Sequence, residues 1–237
     1  MNKNVKEILK SAAESPDSIR KDVFIREYRK EYNSRRTNAW DMVKSQMEYI
    51  RPSVWIVSVI ALFLAVLGIQ SDRDTLFIVA AMMPFVSGTS IIESFRARQY
   101  RLSEIEGTTL FSTKGILFTR VVCIGLVHIA LITLLTIIIG SIDEHGLLMT
   151  GAALTIPYLF SSVVSMELER TELGRKNTFL CMGIAALTAV MVVVVKEYWH
   201  IFDASYQWVL VVTAFALIVI EFVEIRKLFH WEEYAWS

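Results

Sequence analysis

"VVCIGLVHIALITLLTIIIGSI", residues 121–142, runs for 22 residues without one Asp, Glu, Lys or Arg. A buried helix in a soluble domain does not need so long an uncharged stretch, whereas crossing the hydrocarbon of a bilayer takes about 17–25 residues. In lipid the backbone must satisfy its own hydrogen bonds, so such a run is a helix. Five more apolar runs have a spanning length, at 53–70, 75–92, 147–166, 178–195 and 206–223, all uncharged but the last, which holds Glu221, and several near the short limit and so little tilted. With 54% apolar residues and a mean hydropathy of +0.46 over 237 residues, the chain reads as an all-α polytopic membrane protein with six transmembrane helices.

The basic residues set the expected orientation. Residues 1–52 hold 12 Lys and Arg, the link 93–120 five, 167–177 three and 224–237 two, so 22 of the 24 fall on one side. Basic loops stay in the cytoplasm, which places both termini there. The N-terminal region has no early apolar stretch of the kind a secretory signal needs. Three regions follow: a cytoplasmic amphipathic segment 1–52 that includes a connector helix, a transmembrane domain 53–223 with a coupling segment at 93–120, and a cytoplasmic tail 224–237. The formal net charge is zero, and no nucleic-acid partner is expected. Cys123 and Cys181 lie inside spans, where burial leaves thiols inert.

Helical spacing recurs before the first span. Val5, Ile8, Leu9 and Ala12 form one apolar face, and Ile19, Val23, Tyr28 and Tyr32 a looser one. In "TNAWDMVKSQMEYIRPS", residues 37–53, a Thr37 or Asn38 cap opens a helix and Pro52 stops it. Trp40, Val43, Met47 and Ile50 make its apolar stripe, predicting a connector helix that lies at the membrane interface. Aromatic residues collect at both membrane faces, Trp199, Phe202, Tyr206 and Trp208 at one and Trp231, Tyr234 and Trp236 at the other.

Few residues inside the spans carry chemistry. His128 alone lies well within one, and Glu221 is expected near enough to an end to reach water. A neutral imidazole bonded to a neighbouring helix is the simpler reading of His128, a proton relay the other. Pro84 with Ser87 and Thr89, and Pro157 with Ser161 and Ser165, give two spans a proline and a row of small hydroxyl residues. Such rows serve close helix packing and also line polar pathways.

Enzyme readings find little to stand on. "VSGTS" at 86–90 lacks the setting of an intramembrane serine nucleophile. His128, His145, His200 and His230 are scattered, with no H-E-x-x-H and no metal-ligand spacing. "GTTLFSTKG" at 107–115 lacks the spacing of a phosphate-binding loop. The chain is expected to be neither an enzyme nor the binder of a cofactor.

The coupling segment opens with "ESFRARQYRLSEIEGTTL", residues 93–110, which continues the second span as a polar helix and turns near Gly107. "FSTKGILFTR", 111–120, then leads into the third span. A second inward link, 167–177, offers Glu169, Arg170 and Glu172 as a weaker contact. In this layout the chain resembles the permease subunits of type-2 ABC exporters. Trp40 to Ile50 look like their connector helix, Arg101, Glu104, Glu106, Gly107 and Thr108 fall on their coupling motif, and Ser112 to Arg120 look like the lead-in to their third span. The resemblance implies a cytoplasmic ATP-binding subunit that carries the ATP and Mg, and a second permease, identical or different, paired across a path that opens alternately. It implies a multi-pass protein of a bacterial plasma membrane. The apolar spans suit an amphipathic or apolar cargo such as a lipid, peptide or drug. The alternative is a membrane-anchored regulator, anti-sigma-like or a sensor, that binds a cytosolic partner through residues 1–52.

Overall fold

Pro52 bends the chain where the amphipathic helix meets the first apolar run. The residue before a proline is pushed out of the helical region, and proline itself fits the first position of a new helix. In the computed structural model, helix α1 (Ala39–Tyr49) ends just before it and α2 (Pro52–Gln70) begins on it. The segments Val43–Tyr49 and Pro52–Gly68 meet at 79°. Five helices follow: α3 (Thr75–Gln99), α4 (Thr113–Gly140), α5 (Gly146–Arg170), α6 (Phe179–Trp199) and α7 (Gln207–Tyr234). The structure describes residues 23, 26–27, 39–70, 75–99, 113–142, 146–172, 174, 177, 179–199 and 207–234, and among them there is no strand.

Helices α3 to α7 are each long and apolar enough to cross a membrane, and the bent pair α1–α2 makes a sixth span if taken as one. The expectation of six independent spans is thus refined to five and a bent sixth. Helix α3 runs unbroken through the end of the second apolar run to Gln99, in line with the expected polar continuation, whereas α4 starts at Thr113, eight residues before the apolar run at 121. Residues 113–120 are therefore part of the third span's helix. The N-terminal apolar faces fall outside the described residues, except Val23, which is helical and exposed.

Internal contacts give the helix directions. Val79 and Met83 of α3 pack with Ala153 and Leu154 of α5 in one cluster, and Ile91 and Phe95 with Met166 in another, so α3 and α5 run parallel. Leu135 and Ile139 of α4 join the first cluster and Leu117 the second, so α4 runs antiparallel to them. Met149 and Ala152 meet Leu210 and Ala214 toward one end and Arg170 pairs with Glu224 toward the other, which sets α7 parallel to α5.

Helix α3 is the centre, with 67% of its most apolar stretch buried, against 17% for α6 and α7 at the periphery. The outward faces of α6 and α7 carry Val190, Met191, Val212, Phe215 and Phe222, all exposed. An apolar exterior over a partly polar interior is the arrangement a membrane protein adopts, because lipid solvates the outside and polar groups bond one another within. At one end, a Cβ on Gly140 would lie 3.1 Å from the Cα of Leu147, and Gly146 opens α5 at φ 74°, a backbone state costly for other residues. We call this the hairpin end. The opposite end holds Arg96, Arg120 and Arg170 and is called the basic end.

Candidate functional site: a charged elbow and a polar seam

At the basic end the bend between α1 and α2 is held by groups from α3. Glu93 and Arg96, three residues apart on one face of α3, form an ion pair at 3.2 Å and are both buried. The Arg96 guanidinium donates from Nη2 to the carbonyl oxygen of Tyr49 at 3.0 Å, at the C-terminal end of α1. Glu93 Oε1 accepts from the backbone N–H of Arg51 at 3.4 Å, just before α2. A helix presents partial negative charge at its last carbonyls and partial positive charge at its first amides. Each member of the pair thus meets the helix end of opposite sign, and a single turn of α3 stabilises both arms of the elbow.

A second arginine closes the same junction from α4. Arg120 is 1% exposed and donates from Nε and Nη2 to Gln46 Oε1, each at 3.3 Å. The Tyr49 ring lies between the two cations, 4.2 Å from the Arg96 guanidinium carbon and 5.1 Å from that of Arg120. Such contacts are worth about 0.5–2 kcal/mol each, more when desolvated. Ile50 packs with Val54 and Ile124 beneath them.

The α1 stripe, expected at the membrane interface, is mostly turned away from the bundle. Trp40 is 75% and Met47 37% exposed, Val43 is half-buried, and of the four only Ile50 is buried. The face that meets the bundle is Gln46, Tyr49 and Ile50, because a buried guanidinium requires hydrogen-bond acceptors, which the Gln46 side chain and the Tyr49 carbonyl supply and apolar side chains do not.

Midway through the bundle a polar seam separates the two apolar clusters. His128 is 1% exposed, and its Nδ1 lies 3.1 Å from Ser90 Oγ and 3.0 Å from Tyr158 Oη. The two rings meet edge to face, 86° apart. Ser161 Oγ donates to the carbonyl oxygen of Pro84 at 3.4 Å, joining α5 to α3, and Ser162 Oγ donates to Glu221 Oε1 at 2.6 Å, joining α5 to α7. Thr89 donates to Val86 of its own helix, and the buried hydroxyls of Ser87 and Ser165 make no hydrogen bond among the described residues. Pro84 and Pro157 are buried as well. Glu221 is drawn into the seam by Ser162, not extended toward water, since a carboxylate among helices is costly without a donor.

The seam brings a serine and a histidine together across the bundle, a pairing that the residues alone did not suggest. Ser90 nevertheless donates its hydroxyl hydrogen to the Val86 carbonyl at 2.8 Å, and it is 5% exposed. In this conformation Ser90 is a bridge between helices and has no access to a substrate. Among the described residues no group of His, Cys, Asp or Glu is arranged to hold a metal.

At the basic end α5 and α7 are tied separately. Arg170 Nη1 reaches Glu224 and, at 3.2 Å, Glu167, while its Nη2 donates to the Glu224 carbonyl oxygen at 2.8 Å. Lys227 donates to the same Glu224 carboxylate at 2.6 Å. Glu169, expected on a docking surface, is 1% exposed and accepts from Cys181 Sγ of α6 at 3.5 Å. It points inward because the face of α5 it occupies also carries Ser162, Ser165 and Met166, which pack within the bundle. Arg101, Glu104, Glu106, Gly107 and Thr108 lie outside the described residues.

The elbow residues Glu93, Arg96, Arg120, Gln46 and Tyr49 were not singled out beforehand. Their signal was present in the Glu-x-x-Arg spacing at the end of one apolar run, the lone arginine at the start of the next, and the proline between helices. The chain matches no family model, no curated protein and no solved structure.

Proposed function

We propose that the chain is the transmembrane permease subunit of an ABC transporter, with both termini in the cytoplasm, driven by a separate ATP-binding subunit and paired with a second permease. The observation that carries this reading is the charged elbow. Arg96 stands near the end of α3, Arg120 near the start of α4, and residues 100–112 connect the two helices. Both arginines are bonded to α1, so a push on that link is delivered at once to two spans and to the connector helix. A permease needs such a junction, because closure of nucleotide sites on another subunit must become helix movement in this one. The interior seam of hydroxyls supports a path for cargo that opens when α3 and α5 part. The cargo class we assign is amphipathic or apolar.

The test reverses Glu104 and Glu106 to Lys and measures co-purified ATPase per permease together with substrate-stimulated hydrolysis in liposomes. Loss of ATPase capture with insertion intact is the expected result. Unchanged capture and hydrolysis would overturn the assignment and favour a membrane-anchored regulator acting through residues 1–52.

A further inference from the structure

Glu221 of α7 is held differently from the acids nearer the basic end. Glu93 is paired with Arg96, and Glu224 holds both Arg170 and Lys227. Among the described residues Glu221 has one hydrogen bond, from the Ser162 hydroxyl to Oε1, and its Oε2 is buried without any. The charged and titratable groups around it are turned to other partners. On α5, Arg170 reaches Glu224 and Glu167, with its Nε left unpartnered, Glu169 accepts from Cys181 of α6, and Tyr158, one turn from Ser162, meets His128 of α4. On α7 itself Lys227 donates to Glu224, and the Arg226 guanidinium lies over the Phe222 ring. No cation among the described residues comes within ion-pair distance of Glu221.

An ionised carboxyl between spans, with one oxygen buried and bare, is costly. A proton on Oε2 cancels the charge and leaves Oε1 as the carbonyl that accepts from Ser162. The route for that proton is one-sided. Between the level of His128 and the hairpin end, none of residues 75–89, 129–140, 146–157 and 207–220 of α3, α4, α5 and α7 is charged or titratable. Toward the basic end Glu224 follows one turn after Glu221, and it is joined to Lys227, whose side chain is 55% exposed. We propose that Glu221 is a proton-binding site inside the bundle, loaded from water at the basic end and discharged to it. The step makes and breaks only the O–H bond, with water at that end as the other party. Through it the contact between α5 and α7 depends on the pH at one face of the membrane. The inference requires only that these helices cross a bilayer, so it stands or falls independently of the transport reading.

The experiment treats the full-length protein in phosphatidylcholine nanodiscs with dicyclohexylcarbodiimide, an apolar reagent that adds to protonated carboxyl groups, and locates the label by peptide mass spectrometry. Glu221 should be labelled at neutral pH and lose the label as the pH is raised, while Glu93 and Glu224, held by cations, stay unlabelled. No variant is needed for that result. Infrared difference spectra should show the C=O stretch of a carboxylic acid in wild type and its loss in Glu221→Gln, which keeps an acceptor for Ser162. In oriented proteoliposomes, raising the pH on the basic side alone should remove the label, and raising it on the hairpin side alone should not. Labelling of Glu221 no greater than that of Glu93 and Glu224, or an acid band unchanged in Glu221→Gln, overturns the proposal. So does an equal response to both sides, which would mean that the site opens to either face.

Discussion

The Arg96 guanidinium closes the C-terminal end of α1 through the Tyr49 carbonyl oxygen at 3.0 Å, while its ion-pair partner Glu93 accepts the Arg51 amide ahead of α2. Two residues of one helix therefore fix the angle between two others. Removing one member of a buried pair leaves an uncompensated charge, which costs about 3–5 kcal/mol. Glu93→Ala should accordingly lower the melting temperature in mild detergent and speed proteolysis before residue 52. Glu93→Gln, which keeps an acceptor for the Arg51 amide, should do so less. Equal melting temperatures for wild type and Glu93→Ala would show that the pair does not hold the elbow.

The seam around His128 makes a second prediction. His128→Phe removes the partner of Ser90 and Tyr158, and interhelical hydrogen bonds between spans are worth about 0.6–2 kcal/mol each. Thermal unfolding should fall by that order, and Ser90→Ala should fall less because Tyr158 keeps its bond to the ring. If His128→Phe melts like wild type yet loses transport in liposomes, the imidazole serves the path more than the packing.

The topology prediction rests on the distribution of basic residues, 22 of 24 on one side. Single cysteines at positions 143 and 205 should react with a membrane-impermeant thiol reagent in intact cells, and ones at 18 and 103 should not. Labelling at position 18 would invert the assignment.

Composition and periodicity were enough to identify the helices and their approximate limits. Runs such as 121–142 have no other stable state in lipid, because every backbone group must bond within its own segment. Pro52 likewise announced the break between α1 and α2, since a proline acts on the residues beside it. These are local effects, and a linear reading captures them.

The faces of those helices are another matter. For a span, the outside is as apolar as much of the inside, so hydrophobic periodicity does not point to the core as it does in water. The stripe of Trp40 and Met47 is expected at the membrane interface, and nothing in it foretells that the bundle is met by Gln46 and Tyr49, where Arg120, 74 residues beyond Gln46, finds its acceptor and an aromatic face. The same holds for Ser90 and Tyr158, unremarkable until α3 and α5 bring them to His128 of α4, and for the inward turn of Glu221 to Ser162, which the sequence did not foretell. A buried polar group is stable only beside its partner, and which residues become partners is decided by how the helices pack.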